Sequence, residues 1–524
     1  MHHMPATIRY HDTRGLDPSH PTFSEVIIKG IAPGGGLYVP DTLPNLHLDQ
    51  ILRLAELPYA RRAEVIFAHF GLDIPAERTA ALLAQAFGDN FDHPAVAPVV
   101  TVAPGMHVLE LWHGPTAAFK DMALQCMPHF FSEAVAMRRA AGHDVPDCLV
   151  LVATSGDTGK AALEGFADRE STRIAVFYPA EGVSDIQRKQ MVTQRGGNVA
   201  VFGVRGNFDD CQSAVKAAFN DTPFTEELRR VHHTELSSAN SINWGRLLPQ
   251  IVYYAGAYAD VVAAGSLPAG DPLDICVPTG NFGNILAAFY AKRLGVPLGR
   301  LLCASNENNV LSDFIDTGVY DIAERPFVTT PSPSMDILIS SNLERALYEL
   351  CRDPERIRSW MSTLAATHRF RIDDATYAAL RDHFAGDYCS NEECLATIAR
   401  VHAATGYLLD PHTAVAWTVA ERHRADGPVL VVATAHWAKF GEDVYRALTA
   451  TPYEAPLPVG AAHMSGLELL REVQRLAPGQ QVPAPLAELA TLPERFTTTV
   501  EGTREGVEDA VRQWLAEAKR PNAA

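Results

Sequence analysis

The sequence has no Cys-x-x-Cys pair, no long basic run and no uninterrupted apolar stretch near the roughly 20 residues that span a bilayer. Its eight cysteines, at 126, 148, 211, 276, 303, 351, 389 and 394, are scattered and form no metal-type cluster with histidine. That spacing excludes a disulfide framework and gives no reason to expect a metal. Several lie in apolar runs such as CLVLVA and DICVP, where a reduced thiol behaves as a small hydrophobe. The formal net charge of -18 excludes a nonspecific nucleic-acid binder, because phosphate backbones demand clustered Lys and Arg. Small molecules are therefore the expected partners. The start MHHMPATIRYHDTRG lacks the apolar core of a signal peptide, and a cytoplasmic location is expected.

The 524 residues suffice for two or three packed domains. With 47% hydrophobic and 20% charged residues, the composition is that of a globular chain; a monomer or small homo-oligomer is expected. From about 110 to 440, short β-branched apolar runs, Gly or Ser turns and amphipathic stretches alternate, which predicts an α/β fold with parallel sheets flanked by helices. The clearest strands are expected at 149–153, 173–178, 198–204, 274–277, 301–304 and 429–433, each nearly all apolar as a strand covered on both faces should be. A helical N-terminal domain is expected over 1–105, a core of two α/β subdomains over 106–440 with a helical insertion at about 337–400, and a helical C-terminal cap over 441–524.

Four segments carry candidate chemistry. In LELWHGPTAAFKD, Pro115 and Thr116 give helix-start signals and Lys120 is placed one turn inside the following apolar pattern. Burial there lowers an ammonium's pKa and makes the amine a nucleophile for an aldehyde; a solvated helix lysine is the alternative. ATSGDTG follows the strand CLVLVA and opens a helix, so Ser155, Gly156, Asp157 and Thr158 are offered to an anion at a strand's carboxyl end. A nucleotide P-loop is excluded, since Thr154 and Ala161 stand where that motif needs Gly and a hydroxyl residue. PTGNFGN combines two glycines with a helix start, which suits a phosphate; an ordinary turn is the alternative. VLVVATAHWAKF ends its strand at Thr434, whose hydroxyl can hydrogen-bond a pyridine nitrogen without keeping it protonated. Lys439 in that segment is read as solvated surface, with an anion contact as the alternative.

In this order the segments resemble the fold-type II pyridoxal-phosphate enzymes, the tryptophan synthase β-like class. The strings are similar to the threonine synthase family of the longer, yeast and enterobacterial kind. The likeness extends over YHDTRG at 10, GIAPGGGLYVP at 30–40, SINWGRLLPQIVYY at 241–254, SPSMDILISSNLER at 332–345 and DPHTAVAW at 410–417. The resemblance implies that Lys120 carries pyridoxal 5'-phosphate. It implies that Gly280, Asn281, Phe282, Gly283 and Asn284 hold the cofactor's phosphate and that Thr434 stands beside its ring nitrogen. Ser155, Gly156, Asp157 and Thr158 would then face the substrate carboxylate and the ring oxygen. Three positions depart from the family's habit: Asp157 where many relatives carry Asn, Trp437 where proline is common, and Lys160 where a smaller residue is usual.

The implied reaction converts O-phospho-L-homoserine and water to L-threonine and phosphate, the last step of threonine biosynthesis in the aspartate family. Lys120 would serve as general base at the α carbon and as proton shuttle to the β carbon. A second anion site is required for the leaving phosphate, and Arg246 is the candidate, with Asn243 and Ser155 as helpers. A structural ion pair is the alternative for Arg246. A threonine or serine dehydratase, a phospho-lyase and a noncatalytic small-anion binder are the competing readings.

Overall fold

The computed structural model describes residues 7–154, 156–180, 183–425 and 427–518. All six apolar runs form strands. Asp147–Ala153, Thr172–Pro179 and Val199–Arg205 lie side by side in a five-stranded parallel sheet, with Thr234–Ser237 at one edge and Thr499–Glu501 at the other. A six-stranded sheet runs in the order Phe384–Tyr388, Leu298–Ser305, Leu273–Pro278, Val429–Ala433, Met106–Glu110, Val99–Ala103, parallel except for the last strand.

Side chains alternate across a strand, and both sheets are covered on both faces. Val150, Val152, Ile174 and Val176 pack with Leu163 and Phe166 on one face of the five-stranded sheet. Leu149, Leu151, Ala175 and Phe177 pack on the other against Val507, Val511 and Leu515. Those three residues recur every four positions on the helix Arg504–Ala518, so this part of the C-terminal region serves as a cover for the sheet. In the six-stranded sheet Leu430 and Val432 join one core while Val429, Val431 and Ala433 join another.

Two stretches differ from the expected pattern. Residues 337–400 form the helices Leu343–Cys351, Pro354–Thr367, Asp374–His383 and Asn391–Thr405, but also contain the edge strand Phe384–Tyr388. Its sequence FAGDY hides a strand because Gly386 is dictated by crowding: a Cβ there would lie 2.8 Å from the backbone of Ser312. The C-terminal region likewise adds Thr499–Glu501 to a sheet edge, a strand of three residues that leaves almost no alternation to read.

The helix Trp244–Ala263, buried over nearly its whole circumference, packs in one core with the six-stranded sheet through Leu109, Leu273, Ile275 and Leu430. The N-terminal helices Tyr59–His69 and Ala76–Ala86 share one core with it through Tyr59, Ile66, Phe67 and Leu83. The Arg62 guanidinium pairs with both oxygens of Asp260 at 2.6 and 2.9 Å, tying that N-terminal layer to the helix. Among the described residues no helix is long and apolar enough to cross a membrane.

Candidate active site

All four chemistry segments leave the carboxyl ends of parallel strands, the edge at which α/β sheets bind ligands. Residues 111–120 follow Met106–Glu110, residues 154–157 follow Asp147–Ala153, residues 279–282 follow Leu273–Pro278, and Thr434 follows Val429–Ala433. Two of them are hydrogen-bonded to each other directly. The Phe119 N–H donates to the Thr434 carbonyl at 2.8 Å, Ala118 and Ala435 form an antiparallel bridge, and the His436 N–H donates to the Ala117 carbonyl at 3.1 Å. Lys120 and Thr434 are thus held on either side of one backbone junction.

Lys120 is 8% exposed. It is the N-cap residue of the short helix Asp121–Leu124 rather than one turn inside a helix, because Asp121 folds back over the preceding turn. The Asp121 carboxylate accepts the Thr116 N–H and hydroxyl, each at 2.8 Å, and the turn leaves no room for a side chain at Gly114, where a Cβ would lie 2.5 Å from Asp121. Burial pushes the Asp121 carboxyl up to about 7 against the Thr116 bonds and the nearby Lys439. Burial lowers the Lys120 ammonium to about 8, with the charges of Arg246 and Lys439 acting in the same direction and Asp157 against it.

Asp157 opens the helix Asp157–Phe166, and its carboxylate faces protein groups on all sides. Oδ1 lies 2.9 Å from Lys439 Nζ and accepts Gln187 Nε2 at 2.9 Å; Oδ2 accepts Ser334 Oγ at 3.0 Å and lies 3.7 Å from Lys120 Nζ. Burial opposes its charge, but Lys439 and Lys120 hold the carboxyl well below the usual carboxylate range. Gly156 precedes it at φ 144°, a conformation side chains rarely adopt, and a Cβ there would collide with Gln187. Thr158 is half-buried in the first turn, while Ser155 lies outside the described residues.

At the third segment, Phe282 takes a left-handed conformation at φ 62° and caps the helix Gly283–Arg293. Ser340 Oγ donates to the Gly280 carbonyl at 2.7 Å and Ser341 Oγ to Asn281 Oδ1 at 3.1 Å, which fixes the turn. Asn284 Oδ1 accepts the Tyr253 and Tyr254 hydroxyls at 2.7 and 2.5 Å, and its buried Nδ2 has no partner among the described residues. An orphaned amide donor beside the first-turn N–H groups of a helix is a place for an anion.

One expectation is corrected, and two candidate residues are placed. Lys439 is fully buried, not solvated: it pairs with Asp157 and donates to the Thr116 carbonyl at 2.8 Å. Asn243 is engaged as the helix cap: Oδ1 accepts the Gly245 N–H at 2.9 Å and one Nδ2 hydrogen goes to the Ile27 carbonyl at 2.9 Å, which leaves its second N–H. Arg246 makes no ion pair among the described residues. One of its terminal nitrogens donates to the Ala239 carbonyl, Nε has no partner, and burial lowers the guanidinium to about 10. Of the departures noted, Lys160 pairs with Glu164 at 2.8 Å, and Trp437 is buried in the short turn Trp437–Phe440.

Ser334, Gln187 and His412 complete the surroundings of Asp157 and carry no local signal of that role. Ser334 and His412 lie in SPSMDIL and DPHTAVAW, two of the strings that carry the resemblance, yet they reach Asp157 only through contacts across the chain. A cavity of about 500 Å³ is lined by Trp112, His113, Tyr407, Asp410 and His436, together with Ala433 and Ala435 but not Thr434. Alternation along the strand puts it on the opposite side from Thr434.

Comparison with known proteins agrees with this geometry. Residues 9–87 match the family described as threonine synthase N terminus, 105–435 the pyridoxal-phosphate dependent enzymes, and 413–511 the threonine synthase C-terminal family. The chain belongs to the threonine synthase family of pyridoxal-phosphate-dependent enzymes. Human threonine synthase-like 1 is 45% identical over 438 residues, covering 81% of this chain and 58% of that protein, so the chain spans little more than half the length of that relative. Threonine synthase of Pseudomonas aeruginosa is 37% identical, covering 84% of this chain and 90% of that one. The crystal structure of pyridoxal-phosphate-bound threonine synthase from Brucella melitensis superposes with a TM-score of 0.83 at 36% identity, covering 97% and 99% of the two chains.

The residues present fit pyridoxal phosphate. A buried amine at Lys120, an orphaned amide at Asn284 beside a helix start, and a Thr434 side chain with no hydrogen-bond partner among the described residues are groups of the kind that an aldehyde anchor, a phosphate seat and a contact for a ring nitrogen would require.

Proposed function

We propose that this chain is a threonine synthase that converts O-phospho-L-homoserine and water to L-threonine and inorganic phosphate in the cytoplasm, as a monomer or small homo-oligomer. Lys120 holds the cofactor's aldehyde carbon, Gly280, Asn281, Phe282, Gly283 and Asn284 hold its phosphate, and Thr434 contacts its ring nitrogen. Gly156, Asp157 and Thr158 border the ring oxygen and the substrate carboxylate. When bound, pyridoxal phosphate draws electrons away from the substrate's α carbon. Lys120 then takes the proton at that carbon and moves a proton at the β carbon, which calls for an amine that is neutral near physiological pH. The lowering of Lys120 to about 8 supports this role.

What carries the reading beyond a simple dehydratase is the buried guanidinium of Arg246, close enough to Lys120 to repel its charge and without a carboxylate of its own. A buried cation left unpaired by the protein suits a substrate that brings a dianion, and the phosphate is also the leaving group.

The test supplies O-phospho-L-homoserine to the cofactor-loaded protein and assays threonine and phosphate together. Equal amounts of both are expected. Phosphate without threonine would make the protein a phospho-lyase. Inertness toward the phosphoester together with release of ammonia from threonine or serine would make it a dehydratase. Protein that stays colourless with pyridoxal phosphate would remove the enzyme reading.

A further inference from the structure

Two buried lysines share one carboxylate. Lys439 Nζ lies 2.9 Å from Asp157 Oδ1 and donates to the Thr116 carbonyl, whereas Lys120 Nζ lies 3.7 Å from Oδ2 and, among the described residues, makes no closer contact with an acceptor. A buried carboxylate compensates one ammonium well and two poorly, and an ammonium without compensation sheds its proton. The lysine with the shorter contact and the second acceptor, Lys439, is the better partner for that carboxylate.

The other groups around the pair do not redress this. Arg246 adds a positive charge beside Lys120, and His412 faces Asp157 from the helix Pro411–His423. Asp121 spends both oxygens on Thr116. Gln187 and Ser334 donate to Asp157 and favour its ionised form, which strengthens its pairing with Lys439. Without Lys439, Asp157 would face Lys120 as its sole lysine partner, and the ion pair would hold Lys120 as an ammonium.

We propose that Lys439 is a positioning residue that claims the charge of Asp157 and thereby leaves Lys120 as the amine free to react. The inference rests on the proposed role of Lys120. It gives Asp157 a different task from a ligand of substrate, that of neutralising the second lysine. The lowered pKa of Lys120 is in keeping with that division.

The test uses the full chain freed of cofactor, with pyridoxal phosphate as the probe. After brief exposure at a series of pH values and borohydride reduction, the adduct at position 120 is quantified by peptide mass spectrometry. Lys439→Met is expected to slow capture at pH 7 about ten-fold or more by moving its pH midpoint upward, since one pKa unit is a factor of ten. Lys439→Arg, which keeps the charge, and the double variant Lys439→Met/Asp157→Asn, which removes both partners, are each expected to restore a midpoint near that of the wild type. An unchanged midpoint in Lys439→Met, or a wild-type adduct at 439 instead of 120, overturns the proposal. Should Lys439→Met fail to fold, Asp157→Asn decides: capture at pH 7 should rise less than about three-fold, and a rise of about ten-fold would mean that the carboxylate serves Lys120 after all. No adduct on any lysine of the wild type at any pH would instead count against the enzyme reading itself.

Discussion

The Ser334 backbone N–H donates to His412 Nε2 at 3.2 Å. That bond makes Nε2 an acceptor, so the ring proton sits on Nδ1 and is donated to Asp410 Oδ1 at 2.8 Å. Asp410 in turn caps its own helix, accepting the His412 N–H at 2.9 Å and the Thr413 N–H at 3.3 Å. The same Ser334 presents its hydroxyl to Asp157, so the motif DPHTAVAW reaches the candidate site through one serine.

His412→Ala is therefore expected to destabilise the chain by about 1–3 kcal/mol, because it strands the part-buried Ser334 N–H and removes a donor from the buried Asp410. His412→Asn, which restores one donor and one acceptor, should recover part of the loss. Urea denaturation of the three proteins measures both; equal midpoints would show that water replaces the imidazole without penalty.

Much of the fold was legible because its signal is local. A strand covered on both faces is a run of apolar residues, and Val429–Ala433 could be read from composition alone. The two candidate turns were legible for the same reason, since PTGNFGN and ATSGDTG place their special residues within a few positions of a helix start. What stayed hidden depends on pairings across the chain. Lys439 and Asp157 are 282 positions apart, and nothing near Lys439 distinguishes a buried ammonium from a surface one. Asn243 shows the converse: an Asn just before a long helix is as good an N-cap as it is a ligand, and the cap took it. Phe384–Tyr388 was masked by a glycine chosen for crowding rather than for a turn.

His113 lies between two carboxylates, with Nδ1 2.6 Å from Asp92 Oδ1 and Nε2 2.9 Å from Glu110 Oε2, and Trp112 stacks on its ring at 4.0 Å. Burial disfavours the imidazolium, but the two hydrogen-bonded carboxylates outweigh it and raise its pKa above the ordinary value. A group whose pKa is higher folded than unfolded binds its proton more tightly in the native state, so its stabilisation is complete below the unfolded value of about 6.5 and is lost as pH rises through the folded one. His113→Gln should thus destabilise the chain by about 1.5–3 kcal/mol at pH 6, the range for hydrogen bonds to charged groups, and by clearly less at pH 9. Denaturation at the two pH values reads the difference, and a gap independent of pH would mean that the ring is neutral and only packs.

Arg246 separates stability from chemistry. Its guanidinium is buried, its Nε is unsatisfied, and no carboxylate among the described residues pairs with it, so the folded chain bears the desolvation of a charge for which it has no counter-ion. Replacing it by methionine, similar in length and apolar, removes that burden at the loss of one bond to the Ala239 carbonyl. Arg246→Met is expected to be more stable than the wild type by about 1 kcal/mol or more, as when apolar residues replace buried ionic ones. If the charge is kept for the substrate's phosphate, the same variant loses the charge-assisted bonds that hold the leaving group. Release of phosphate from O-phospho-L-homoserine should then fall about 100-fold, equivalent to about 2.7 kcal/mol. Inorganic phosphate should stabilise the wild type against heat and leave Arg246→Met unmoved. A variant that is both less stable and fully active would show that the guanidinium braces the Trp244–Ala263 helix and nothing else.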